Sequence, residues 1–274
     1  MNKLQRVNRS NRCPVCNHDS WCLVGESVAL CMRVSSDKEK EFSNGDVGWL
    51  HNMGKDFVPP PQAPKQKEET KDFRGLIAQW DKETTTYQRE QFAKYLGVSL
   101  DSLLLLDVVH SAERRAWGFP MRNSLGNVTG MRLRLEDGRK ISVKGSKEGV
   151  FVPSHNTDFG GTALICEGPT DTAAALTLGY FSIGRPSCSG GMWHIKEMLK
   201  AMKISRVIIV ADNDNPLLRN DNRNPGIEGA LRLSKELPMR NCIVALPCND
   251  LRSFVRIGGT RTDLEEIVST LVWR

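Results

Sequence analysis

The sequence has no long apolar run. Its most apolar stretch, Val207-Ile-Ile-Val-Ala211, is far below the roughly 20 residues that a membrane-spanning helix needs. The first ten residues, MNKLQRVNRS, hold no apolar segment, so no signal peptide is expected and the chain reads as cytoplasmic. A membrane protein is therefore not expected. No GxxxxGK[ST] string occurs, so no P-loop ATP motor is expected. Aromatic residues are only 7%, and there are three tyrosines. Charge of one sign does not dominate: 38 Lys+Arg stand against 32 Asp+Glu, for a net of +6. That balance permits a nucleic-acid partner without requiring one. At 274 residues, the chain is long enough for about two domains and for a core that needs no disulfide scaffold. What it has in unusual supply is cysteine, eight in all.

Four of them crowd the first 31 residues: Cys13, Cys16, Cys22 and Cys31. A secreted disulfide framework is short and evenly stapled, and this chain is neither short nor secreted. Cys13-Pro-Val-Cys16 reads as a knuckle that closes two thiolates on one metal. Tetrahedral Zn²⁺ takes four soft ligands, and Cys22 and Cys31 complete the set. His18 is the competing ligand. A redox CxxC would follow a strand and open a helix, whereas here a short polar run, Asn17-His-Asp-Ser20, follows. Residues 21–24 and 28–32 flank a Gly25-Glu-Ser27 turn and predict a hairpin, with a third strand over 47–51. The outline is a zinc ribbon over residues 1–56. Arg6, Arg9, Arg12 and Arg33 are available to meet phosphates, or are simply solvated.

Residues 57–72 include three consecutive prolines followed by charged, polar residues. Such a segment builds no core and is expected to act as a stiff, flexible-ended linker. Over 73–158 a small α+β subdomain is expected. Phe73, Leu76, Ile77 and Trp80 recur at helical spacing, a second helix ends at Gly97, and Ser99 caps a third. The string from Phe92 to Ser99 reads either as a helix–turn–helix corner or as a packing corner. From Ala116 the period becomes two, which predicts an antiparallel meander. In its second strand Met131, Leu133 and Leu135 alternate with Gly130, Arg132 and Arg134. Between positions 114 and 147 there are nine basic residues and two acids. A phosphate-binding face is expected there, with Arg132, Arg134, Lys140 and Lys144 as its binding residues.

Residues 159–274 alternate strand and helix, which predicts a parallel sheet covered on both faces. Functional groups in such sheets sit at the carboxyl ends of the strands. Acids stand at those ends. Glu167 follows the strand over 162–166, Asp212 and Asp214 follow the one over 206–211, and Asp250 comes soon after the one over 241–246. Acids gathered at one sheet edge are costly unless a cation lies among them, and carboxylates suit Mg²⁺ or Mn²⁺. The alternative for 212–214 is an ordinary Asp/Asn-rich turn. Asp171, one helical turn beyond Glu167, is either a supporting residue of the site or a first-turn acid on its helix.

These residues carry a resemblance. ICEGPTDTAAALTLG, GRPSCSGG and VIIVADNDNP resemble the TOPRIM domain of primases, topoisomerases and certain nucleases. The preceding basic meander resembles the subdomain before TOPRIM in bacterial and phage DNA primases of the DnaG type. CPVC…WC…C resembles their zinc ribbon, and Asn249-Asp-Leu-Arg252 their late acidic segment. The order is the family's and covers nearly the whole chain. The resemblance implies template-directed RNA primer synthesis on single-stranded DNA. Ribonucleoside triphosphates are the substrates, Zn²⁺ is structural, and Mg²⁺ or Mn²⁺ is held catalytically by Glu167, Asp212, Asp214 and Asp250. With no motor motif, a separate replicative helicase is the implied partner. The sequence departs from the family in Pro216 and an insert over 217–225, and in the placement of Cys22 in a strand. A TOPRIM nuclease and a non-catalytic DNA-binding replication accessory protein remain the rival readings. A topoisomerase would need a further domain carrying a nucleophilic tyrosine.

Overall fold

Chain contacts divide the protein into two units, Met1–Glu69 and Thr70–Arg274. They are seen in a computed structural model that describes residues 4–8, 10–42, 47–54, 57–58, 71–155, 161–213 and 224–274. Arg9, residues 59–70 of the linker, Asp214, Pro216 and residues 217–223 of the insert lie outside the described residues. Among the described residues, no helix is long and apolar enough to cross a membrane.

The first unit is a small antiparallel sheet. Its strands are β1 (Gln5–Arg6), β2 (Leu23–Val24), β3 (Val28–Cys31), β4 (Glu39–Glu41) and β5 (Val47–Asn52), in the order β1-β2-β3-β5-β4. The Gly25–Ser27 turn closes as expected, with the Gly25 N–H donating to the Val28 carbonyl at 2.9 Å. The core is thin: Val7, Val15 and Ala29 are buried together with all four N-terminal cysteines. The hairpin's first strand is shorter than its sequence predicts. Trp21 takes φ +71°, so the chain reverses there and Cys22 precedes the strand rather than lying in it.

The second unit opens with α1 (Phe73–Glu83), α2 (Thr86–Leu96) and α3 (Leu100–Leu105). Thr85 and Gln88 form a reciprocal capping box on α2, and Ser99 accepts from the Ser102 N–H to start α3. The corner between α2 and α3 is a packing corner: Phe92, Leu96, Val98 and Leu103 are all buried in the main core. An antiparallel sheet follows, with β6 (Val109–Ser111), β7 (Ala116–Arg122), β8 (Val128–Leu135) and β9 (Lys140–Ser142) in sequential order. One face of it, with Met131 and Leu133, packs on Phe73 and Trp80 of α1. Phe119 and Met121 of β7 join the core on the other side.

The rest of the unit is a parallel α/β layer. It comprises β10 (Thr162–Glu167), α4 (Gly168–Thr177), β11 (Phe181–Arg185), α5 (Met192–Ala201), β12 (Arg206–Ala211), α6 (Pro225–Glu236), β13 (Arg240–Ala245), α7 (Leu251–Arg256) and α8 (Arg261–Ser269). The four strands run parallel in the order β11-β10-β12-β13. Both faces are covered, so the strands are apolar through their centres. Ala163, Ile165, Val207 and Ile209 point to the side of α5 and α6, while Leu164, Cys166, Ile208 and Val210 point to the side of α4, α7 and α8. The second core also takes in α2, α3 and β7, so the meander and the parallel sheet share one interior. Helix α7 is not evident in the sequence. It is six residues long and starts directly on Asp250, its N-cap.

Candidate active site and metal centre

The four N-terminal thiols meet at one point. The Sγ atoms of Cys13, Cys16, Cys22 and Cys31 lie within 4.8 Å of one another, and all four residues are buried. Cys16 and Cys22 are 3.7 Å apart, Sγ to Sγ. Four sulfurs around a metal at about 2.3 Å would sit about 3.8 Å apart, so the spacing fits a tetrahedral Zn²⁺. His18 is not one of the converging ligands; its carbonyl accepts from the Cys13 N–H at 2.8 Å. Donors surround the sulfurs as second partners. The Val34 N–H points to Cys31 Sγ (3.3 Å), and the Met32 N–H and Arg33 Nη1 point to Cys22 Sγ (3.5 Å each). Burial pushes the Cys13 and Cys31 thiols up to about 11 and raises Cys22. It acts on Cys16 too, but hydrogen bonds from the His18 backbone and the neighbouring thiols outweigh it and bring that group down.

At the carboxyl edge of the parallel sheet, Glu167 ends β10, Asp212 follows β12 and Asp250 caps α7 after β13. The edge is tied together by the Asn213 N–H, which donates to the Asn249 carbonyl at 2.8 Å. It is also tightened by α6. A Cβ on Gly226 would lie 2.3 Å from the Asp212 carbonyl oxygen, and one on Gly229 would lie 2.2 Å from that of Cys188. Only glycine permits so close an approach. Asp214, the fourth expected acid, lies outside the described residues.

The described acids do not converge as the cysteines do. Among the described residues, no three carboxylates come within 4.8 Å of one another. Glu167 ends β10 in register with Arg185 of β11. Asp212 lies one residue past β12, and its charge acts on Cys166. Arg185 was not apparent from the sequence. It is 2% exposed, its Nη1 donates to the Cys188 carbonyl at 2.9 Å, and its Nη2 lies 3.8 Å from Glu167 Oε2. The signal was a cation at the end of the strand beside Glu167. Arg185 is buried but Glu167 is partly exposed, so Arg185→Ala is expected to destabilise the second unit by about 1–3 kcal/mol in urea unfolding, chiefly through the unpaired Cys188 carbonyl and lost packing. A loss below about 1 kcal/mol would contradict the pairing.

Asp171 sits behind this edge, almost fully buried. The Arg252 N–H donates to its Oδ1 at 2.8 Å. Burial, then repulsion from Asp250, pushes its carboxyl up to about 7, and Arg252 and Lys140 partly offset the rise. Arg252 Nη2 also faces Asp250 Oδ2 at 3.9 Å. Because the folded-state value exceeds the unfolded one, the fold binds this proton more tightly. Its contribution is therefore lost as pH rises, at about 1.4 kcal/mol per pH unit between 3.8 and about 7. Asp171→Asn is expected to raise the melting temperature at pH 8 and to leave it unchanged at pH 4, in buffer free of divalent metal.

The basic meander is more divided than its count of nine implies. Arg122 is buried and paired with Asp107. Arg115 and Arg139 pair with Glu136 and Asp137 (2.6 and 2.7 Å), and Arg114 lies over the Trp80 ring. The four expected residues behave differently. Arg134 and Lys140 are direct cross-strand neighbours, a like-charge pairing that weakens a sheet unless an anion joins it. Arg132 reaches the Pro186 carbonyl after β11 through Nη2 (3.4 Å), and its buried Nε has no hydrogen-bond partner. Lys140 acts on Asp171. Lys144 is exposed one turn further on. The basic face thus meets the acidic sheet edge.

No protein-family model and no curated protein sequence matches the chain. Solved structures do. The Escherichia coli primase catalytic core superposes with a TM-score of 0.55 at 16% identity, over 73% of this chain and 79% of that one. The DnaG primase catalytic domain bound to single-stranded DNA gives 0.55 at 15%, over 73% and 77%. The Aquifex aeolicus primase, comprising zinc-binding and RNA polymerase domains, gives 0.56 at 14%, over 77% and 64%. The chain has the DnaG-type primase fold.

Proposed function

We propose that this chain, built on the primase fold, is a DNA primase that synthesises short RNA primers on single-stranded DNA from ribonucleoside triphosphates. The observation that carries the reading is the junction of β8 and β9 with the carboxyl edge of the parallel sheet. Lys140 acts on Asp171, Arg134 is its cross-strand neighbour and Arg132 reaches the Pro186 carbonyl after β11, at the sheet edge that also carries Glu167, Asp212 and Asp250. Arg185 and Arg252 also lie at this edge, but Arg185–Glu167 and Arg252–Asp250 both exceed hydrogen-bond length. That donor set suits a hard divalent cation. Glu167, Asp212, Asp250 and the adjacent Asp214 would hold Mg²⁺ or Mn²⁺. Bound there, the ion supplies charge neutralisation at the attacking and leaving oxygens of phosphoryl transfer.

The protein's own side chains do the positioning. Arg132, Arg134 and Lys140 bind the phosphates of the triphosphate or template, with Lys144 extending the track. Arg185 orients the Glu167 carboxylate, and Arg252 those of Asp171 and Asp250. The zinc ribbon contacts the template. A separate replicative helicase opens the duplex, in the cytoplasm. The test is incorporation of labelled ribonucleotides on varied single-stranded DNA templates with Mg²⁺ or Mn²⁺. Short RNA products are expected. Nicked DNA without RNA would identify a nuclease, and DNA binding with neither product an accessory protein.

A further inference from the structure

Trp21 is in the wrong conformation for its side chain. Its φ of +71° is adopted freely by glycine and at modest cost by asparagine. A bulky residue there is an outlier. The turn is needed, because it delivers Cys22 to the sulfur cluster. Tryptophan is not needed for it. Nor does the ring recover the strain by packing, since Trp21 is 66% exposed. Trp193 is comparably exposed at 64%, but it lies in the first turn of α5, where its backbone is unstrained. Strain kept without burial marks a displayed group.

The surroundings say what it is displayed to. Arg33 brackets the residue. Its Nη1 donates to the Ser20 carbonyl (2.8 Å) and to Cys22 Sγ (3.5 Å), and its Nη2 to Ser20 Oγ (3.3 Å). The residue is nonetheless solvent-exposed. Arg12, also exposed, is held on the cysteine knuckle through the Asn17 carbonyl. A protruding indole beside fixed guanidiniums matches a base with its phosphate, since every base offers a π-face and stacking tolerates sequence. A protein partner would ask for a wider apolar patch.

We propose that Trp21 is the base-stacking residue of the ribbon and that it, with Arg33 and Arg12, forms a single-stranded DNA contact. The inference rests on the primase reading and locates the template on the first unit. It is tested on the full, zinc-loaded chain with a fluorescein-labelled mixed-sequence oligodeoxynucleotide, read by anisotropy across a salt series. Trp21→Gly removes the ring and relieves the φ. It is expected to weaken binding by about tenfold or more, with an unchanged salt slope because no phosphate contact is lost. Zinc content should hold and the first unit's melting temperature should stay level or rise. Trp21→Phe should keep most of the affinity. Undiminished binding by Trp21→Gly overturns the inference, as does loss of zinc or of stability, which would make the ring structural. Self-association that fails in Trp21→Gly while DNA binding persists would reassign the residue to a protein contact. If the unaltered chain binds DNA and makes primers while Trp21→Gly is indistinguishable from it, only this inference falls. If the unaltered chain makes no primers, the primase reading falls.

Discussion

Asp212→Ala is expected to abolish primer synthesis while leaving DNA binding nearly intact. Asp212 follows the most central stretch of the parallel sheet, with β10 on one side of β12 and β13 on the other. Its carbonyl is pinned by Gly226 and its neighbour Asn213 by Asn249, so truncating the side chain leaves the backbone in place. What is lost is one carboxylate oxygen donor to the cation. Changes to groups that merely orient metal ligands cost about 10–100-fold, so loss of a ligand should cost at least about a hundredfold in the rate of incorporation. The cations credited with phosphate contact lie on β8 and β9, so the affinity for single-stranded DNA should change less than about threefold. The fold should not suffer either: removing one acid from an edge that also holds Asp171 and Asp250 relieves repulsion. Incorporation assays, anisotropy and thermal melting on the same preparation separate these effects. Normal priming by Asp212→Ala would show that the acidic edge is not the catalytic site.

Much of this architecture is legible in the residue pattern, for reasons that also explain the failures. Strands buried on both faces are continuous apolar runs, so Val207–Ala211 could hardly be anything else. Helices α1 to α3 announce themselves through apolar spacing and through Ser99 and Gly97 at their ends. Position along a strand is legible, but the neighbour across the sheet is not. Glu167 is the last residue of β10, whereas Asp212 lies one residue past β12. Arg185 comes against Glu167 through a strand pairing between β10 and β11 that sequence order alone does not specify. The basic count between 114 and 147 was legible as a sum but not as a surface. Arg122 contributes to the sum and is buried against Asp107. Helix α7 is not legible because six residues leave too little periodicity to read. The neighbours of Cys22 favour a strand, whereas the demand of four sulfurs for a common point overrides that local preference.

Removing the metal from the cysteine cluster is expected to unfold the first unit and spare the second. The first unit's interior is Val7, Val15, Ala29 and Leu30 around four thiols, a core far too small to order about 60 residues by apolar burial alone. Structural zinc contributes about 10–16 kcal/mol to such modules, and that is nearly the whole of their stability. The second unit has its own three cores and no share in the cluster. A chelator should therefore erase the low-temperature transition and the ribbon's amide protection, and leave the Thr70–Arg274 transition where it was. The pH dependence has a definite sign. Burial holds Cys13 and Cys31 as thiols, up to about 11, and the metal must displace those protons. Affinity should fall as pH falls, by about tenfold per unit for each thiol that must ionise. Cys31→Ser should lose the metal by elemental analysis. Undiminished zinc in that variant would mean that Cys31 is dispensable and that His18, whose carbonyl already closes the knuckle on the Cys13 N–H, supplies the fourth ligand. Primer synthesis should fail in both the chelated protein and Cys31→Ser, even though the second unit and its acids remain folded, if the ribbon makes the template contact proposed for it.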